Sequence, residues 1–426
     1  MPTRRDILKG IAGSALALTI FPRFAFAAGA GSPRMLVVML RGGLDGLHAL
    51  PPLGDSAWGA LRGGMPFAAA GVVGAAQPIP LDTRFGLHPS LTYASELYRQ
   101  GEFLPLVAIA PPYQGRSHFE AQDCVENGSA RPNGANDGWM NRCVAGMRGE
   151  QGLAISTSMP LIMRGPGKVS SWSPPLPEGV DPALLQRLDT LYAEDPQLAE
   201  AYRQAIVEVE MGMDGNGASM SPDHADAMRA DAMGTMAKAG GKGQGKGYAG
   251  GAALPALMAA AGKFLVRADG PQLGFVEDTG WDTHAAETAT LQRKLQQLDG
   301  GLRAFREAMG SAWSRTVVVV VTEFGRTAKP NGTGGTDHGT GGAAFLAGGA
   351  IAGGRIAGQW PGLSPQDLNE GRDLHATTDM RAMFKGVLAG HMQVPQSLLE
   401  SKVFPDSAAV RPLGGLLRAA RIFAAA

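Results

Sequence analysis

Five segments of this 426-residue chain carry the side chains from which a reactive centre could be built. They are Arg41-Gly42-Gly43-Leu44-Asp45-Gly46, Gly115-Arg116-Ser117-His118-Phe119-Glu120, Asp278-Thr279-Gly280-Trp281-Asp282-Thr283-His284, Thr322-Glu323-Phe324-Gly325-Arg326 and Thr336-Asp337-His338-Gly339. Carboxylate oxygen mixed with imidazole nitrogen suits zinc, manganese or iron better than calcium. Asp282 and His284 alternate on an extended segment, so both side chains can point to one side. Asp337 and His338 are adjacent, which a loop can splay around an ion. Asp45, Asp282, His284, Glu323, Asp337 and His338 are therefore the expected ligands of one or two divalent ions, zinc or manganese. For Asp45 and Asp337, each in a glycine-rich turn, capping of that turn is the competing expectation.

Ser117 has two readings at one location. Ser-His-Phe-Glu ahead of Ala121 to Val125 is a capping-box pattern, with Glu120 at the third helical position. A helix N-terminus is also an anion site, and a hydroxyl facing a metal there can attack a phosphoryl or sulfuryl centre. Arg116 is the expected partner of the bound anion's oxygens.

These segments need elements that bring them together. Apolar, β-branched runs precede them at Met35 to Leu40, Leu104 to Ala110, Leu273 to Val276 and Thr316 to Val321, with a fifth at Ala343 to Ala347. They read as buried parallel strands. Between them, Leu291, Leu295, Leu298, Leu302, Phe305 and Met309 recur every three or four residues, a one-faced helix. Pro89 to Tyr98 reads as a shorter helix, closed by Gly101. The alternation predicts an α/β fold, a doubly wound and mainly parallel sheet with helices on both faces. In such sheets ligands bind beyond the carboxyl ends of the strands, where the five segments fall.

Lys plus Arg and Asp plus Glu each total 38, so no net field draws the chain to nucleic acid or an anionic membrane. Hydrophobic residues at 44% and charged residues at 18% fit a folded globular protein. Two cysteines, Cys124 and Cys143, exclude a four-cysteine zinc module. In an oxidising compartment they would pair if the fold brings them close.

The first residues read as an address. Arg4-Arg5 precede the apolar run Ile11 to Phe21, and Ala25-Phe26-Ala27 offers a cleavage site. The run is about half the ~20 residues that a membrane span requires. The expectation is a twin-arginine signal over 1–27, export through the twin-arginine translocase to the periplasm or beyond, and one mature domain over 28–426 without a stable membrane span. Residues 211–251, rich in Gly and Met, read as an insertion.

The series R-G-G-L-D-G, F-G-L-H-P, S-H-F-E-A-Q-D, G-W-D-T-H, T-E-F-G-R-T and T-D-H-G-T-G-G resembles the twin-arginine-exported domain-of-unknown-function 1501 family. That family is similar in turn to the alkaline phosphatase and sulfatase superfamily of metal-dependent hydrolases. The resemblance implies that Asp45, Asp282, His284 and His338 bind metal and that Ser117 is the nucleophile. Glu323-Phe324 stands where the superfamily carries an Asp-His pair, and Asp337 is the candidate for the ligand that Phe324 cannot supply. The implied activity is hydrolysis of small phosphate or sulfate esters; the alternative is a non-catalytic exported protein whose degenerate site serves binding or assembly. His48, His88 and His118 are further histidines near these motifs, and Asp379 reads as the cap of a following helix.

Overall fold

The computed structural model describes residues 31–67, 77–147, 151–174 and 253–419. The signal over 1–27 and the insertion over 211–251 lie outside the described residues.

Eight strands form the central sheet: β1 (Arg34–Leu40), β2 (Phe103–Ala110), β3 (Gly152–Ile155), β4 (Val169–Trp172), β5 (Leu273–Asp278), β6 (Thr316–Thr322), β7 (Gly342–Ala347) and β8 (Thr378–Asp379). Their order is β8-β2-β7-β6-β1-β5-β3-β4. All neighbouring pairs are parallel except those of β7, which runs antiparallel to β2 and β6. The run Ala343 to Ala347 was expected to be parallel, and this is corrected. No crossover helix separates β6 from β7, so the chain turns back through residues 323–341 and re-enters the sheet from the edge it left.

Strand periodicity sorts the core onto two faces. Leu36, Val38, Leu40, Val276, Val318 and Val320 pack on one side with α4 (Leu254–Leu265) and α5 (Glu287–Met309); α1 (Thr92–Arg99) adds Leu97. Met35, Val37, Met39, Phe275, Val317 and Val319 face α3 (Trp139–Gly146) and α6 (Met380–Gly390) on the other; α2 (His118–Asn127) adds Val125. The sheet is thus doubly wound. In α5 the residues predicted to face inward, Leu291, Leu295, Leu298, Leu302, Phe305 and Met309, are all buried. α1 starts later than Pro89, because Leu91 N–H bonds back to His88 O in a turn ahead of the helix. Asp379 does cap α6, accepting from Arg381 N–H. Cys124 and Cys143 are both buried, and no disulfide joins them. Among the described residues no helix is long and apolar enough to cross a membrane.

Register is what gathers the functional segments. Leu40 at the end of β1 pairs with Asp278 on β5 and Thr322 on β6. The chain leaving all three strands therefore emerges side by side at one edge. Gly42 makes this convergence possible. Its φ is +126°, and a Cβ there would lie 2.3 Å from the Asp282 amide nitrogen, a backbone approach open only to glycine.

Candidate metal centre

Three imidazoles and one carboxylate meet at that edge. His118 opens α2, Asp282 and His284 follow β5, and His338 lies in the β6–β7 return, where an isolated antiparallel bridge joins it to Arg326. His338 Nε2 lies 3.0 Å from His118 Nε2, 2.9 Å from His284 Nε2 and 3.3 Å from Asp282 Oδ1. Asp282 is also 3.1 Å from His284 Nε2 and 3.5 Å from His118 Nε2. His118, Asp282 and His338 offer one donor atom each, all within 4.8 Å of one another. His284 flanks this group through His338 and Asp282.

The far nitrogen of every ring is anchored. His118 Nδ1 donates to Glu323 Oε1 at 2.8 Å, His284 Nδ1 to Asp337 Oδ1 at 3.1 Å, and His338 Nδ1 to the Arg116 carbonyl at 2.9 Å. With Nδ1–H committed outward, a neutral ring turns its Nε2 lone pair inward. Three imidazole nitrogens converging on one point repel one another unless a proton or a metal ion lies among them. This is the arrangement by which outer acceptors orient metal-binding imidazoles. The donor set fits a divalent ion, and its share of nitrogen favours zinc over manganese.

Charge is organised around Asp282. Burial opposes its ionisation, but hydrogen bonds from His118, His338 and Arg326 outweigh that and hold its carboxyl far below the usual range. Arg326 is fully buried and donates to Asp282 Oδ1 at 2.6 Å and to the carbonyls of Gly42, Gly43, Trp281 and Thr336. One guanidinium thereby ties the loop after β1 to the two loops that carry Asp282, His284 and His338. For His118, burial alone would lower the pKa; hydrogen bonds to Asp282 and Glu323 reverse this and raise it to about 9.

The remaining expected residues occupy different positions. Glu323 has no exposed side-chain surface; its Oε1 accepts from His118, Gln122 and the Gly42 amide, so it stands behind His118. Burial opposes its ionisation, and the His118 and Gln122 donors still hold its pKa below the ordinary value. Asp337, half exposed, stands behind His284 in the same way and also accepts from Asn331. Asp45 points into the interior. It caps the turn Gly46–Ala49 and forms a fully buried ion pair with Arg62. Burial would raise its pKa, but Arg62 overcomes this and holds it at about 2, while burial and Asp45 push neighbouring Glu287 up to about 9. Its carboxylate is thus committed to an arginine, which explains why the turn-capping expectation prevails over the ligand one in this geometry.

Ser117 is the N-cap of α2 by position, yet its side chain makes no capping hydrogen bond, and Glu120 accepts from Tyr113 instead of closing a capping box. In the chain Ser117 lies between Arg116, whose carbonyl anchors His338, and His118, a member of the cluster. Arg116 itself is held by Asp373 at 3.0 Å and Glu370 at 2.8 Å. Phe324 packs on both His118 and His338, with ring centroids 4.8 and 4.9 Å away, and walls one side of the cluster. Of the other histidines, His48 and His88 are buried around Phe67, and His391 bonds the Arg34 carbonyl. His118 is the donor that the fold adds to this group and that residue type alone did not single out; the signal for it was its place beside Ser117 at a helix start.

Several solved structures are similar to this chain. A protein in the alkaline phosphatase superfamily from Vibrio parahaemolyticus matches with a TM-score of 0.36 and 11% identity, over 85% of this chain and 72% of that one. The lipoteichoic acid synthase LtaP from Listeria monocytogenes matches with a TM-score of 0.34 and 8% identity, over 78% and 67%. The PsFucS1 sulfatase from Pseudoalteromonas sp. matches with a TM-score of 0.32 and 13% identity, over 84% and 68%. No curated protein matches the sequence. The family model described as "Protein of unknown function (DUF1501)" matches residues 110–403, more than half of the chain, and the chain belongs to that family.

Proposed function

We propose that this protein is an exported, metal-dependent hydrolase of small phosphate or sulfate esters, delivered by the twin-arginine translocase. The observation that carries the reading is the outward anchoring of all three imidazoles, which turns three Nε2 atoms toward Asp282. His118, Asp282 and His338 would hold one divalent ion, with His284 beside them. A bound ion supplies positive charge to polarise an ester oxygen and to ease deprotonation of a nearby hydroxyl.

The protein's own groups do the rest in this reading. Ser117 is the nucleophile, with a hydroxyl that no cap bond restrains, at the positive end of α2. Backbone N–H groups in the first turn of α2 receive the equatorial oxygens. Glu323 and Asp337 keep His118 and His284 in the tautomer that a ligand needs. Arg326 offsets the charge of Asp282, so the ion's own charge remains available to an anionic ester.

One observation favours the alternative of a non-catalytic binding or assembly protein. Arg116, the expected clamp for substrate oxygens, already pairs with Asp373 and Glu370. Aryl phosphate and aryl sulfate turnover, measured beside metal content for wild type and Ser117→Ala, separates the two. Hydrolysis lost in Ser117→Ala at unchanged metal content supports the enzyme. Metal-loaded wild type with the same background rate as Ser117→Ala supports the binding role.

A further inference from the structure

We propose that Arg41 and Gln122 are positioning residues of the candidate centre, acting on His118 through Glu323; the inference rests on the reading that the cluster holds a divalent ion. Arg41 leaves the end of β1 and is pinned by two carboxylates. Its Nε donates to Glu277 Oε2 at 2.6 Å and its Nη2 pairs with Glu126 Oε1 at 2.9 Å. Both acids are themselves fixed: Ser156 Oγ donates to Glu277 Oε1 at 2.9 Å, and the Ile162 amide donates to Glu126 Oε2 at 3.0 Å. The remaining arm, Nη1, donates to Gln122 Oε1 at 2.8 Å.

Hydrogen-bond polarity then runs one way. Arginine only donates, so the side-chain carbonyl of Gln122 must face Arg41 and its NH₂ must face Glu323, 2.8 Å away. Glu323, buried and ionised, only accepts. His118, one helical turn from Gln122 on the same face of α2, must therefore donate from Nδ1 to the same oxygen. That donation turns the Nε2 lone pair toward the space beside Asp282 and His338, where a metal ion would take it. A guanidinium at the end of β1 thus helps to hold, through Gln122, the carboxylate oxygen to which His118 donates at the start of α2. Neither Arg41 nor Gln122 touches the metal donors, and the hydrolase reading uses neither of them directly.

The test uses the full chain with Gln122→Met, Arg41→Met and Arg41→Lys. Zn²⁺ affinity is read by chelator competition, and the visible absorption of Co²⁺-loaded protein reports the coordination of the ion. Gln122→Met is expected to bind Zn²⁺ about tenfold more weakly, with a shifted Co²⁺ spectrum and a thermal transition close to that of wild type. Arg41→Met follows it, and Arg41→Lys, which keeps a donor, recovers part of the loss. Wild-type affinity and spectrum in Gln122→Met would overturn the proposal while leaving the metal reading intact. Wild type that takes up neither Zn²⁺ nor Co²⁺ overturns the metal reading, and this proposal with it. Gln122→Met decides the outcome even where the Arg41 variants fail to fold.

Discussion

Glu323 Oε1 accepts the Nδ1–H of His118 at 2.8 Å, and Asp282 Oδ2 lies 3.5 Å from the other nitrogen of the same ring. His118 is strung between two carboxylates, and its raised pKa of about 9 follows from them once they outweigh burial. In metal-free protein the ring is protonated below that value, so an incoming ion must displace the proton. Zn²⁺ affinity is expected to fall about tenfold for each pH unit below about 9. Chelator competition across neutral to alkaline pH checks this, and a pH-independent affinity would contradict it. The sign is opposite for folding of the metal-free chain. Protonated His118 stabilises that fold at low pH, and the contribution disappears as pH rises through about 9.

Replacing an outer acceptor should cost metal affinity without removing a ligand. Glu323→Gln is expected to weaken Zn²⁺ binding by about 10–100-fold. Asp337→Asn should lose less, because its side chain is 51% exposed and water can take its place beside His284. Calorimetric titration of the two variants with Zn²⁺ gives the order, and the reverse order would refute the assignment of Glu323 as the principal support.

Asp45→Ala separates an interior ion pair from a metal ligand. It strands a fully buried Arg62 without its partner, a change that costs about 3–5 kcal/mol. Urea unfolding should show that loss while the folded fraction keeps its full metal content. A folded variant that loses its metal would restore Asp45 to the centre.

Gly42→Ala should be more disruptive than its size suggests. The added methyl meets the Asp282 backbone at 2.3 Å, at a φ of +126° that side chains rarely adopt. A strained backbone of this kind costs about 1–3 kcal/mol, and relieving the clash must move the loop that carries Asp282. Lower thermal stability together with weaker Zn²⁺ binding is the expected pair of results; stability lost with unchanged binding would show that the loop moves without its ligand.

The sequence alone determined five of the eight strands of the sheet, the long amphipathic helix and the doubly wound α/β class, because burial imposes a period of two or of 3.6 on apolar residues; the short strands Gly152–Ile155, Val169–Trp172 and Thr378–Asp379 carry too little pattern to be read. It also placed the polar segments beyond the strand ends, and it marked Asp282, His284 and His338 as donors by residue type. Tertiary structure alone decided which donors face inward. Asp45 and Asp282 are both aspartates in glycine-containing loops after strands, yet Arg62 claims the first and Arg326 fixes the second beside three imidazoles. His118 and Glu323 lie far apart in the chain, and only the register of β1, β5 and β6 at Leu40, Asp278 and Thr322 sets the edge at which one comes to orient the other. The direction of β7 was equally beyond reach, since a buried apolar run reads alike in either sense. Period is local and legible along the chain; the partner of a charge is set by whichever distant segment the fold brings within hydrogen-bond reach.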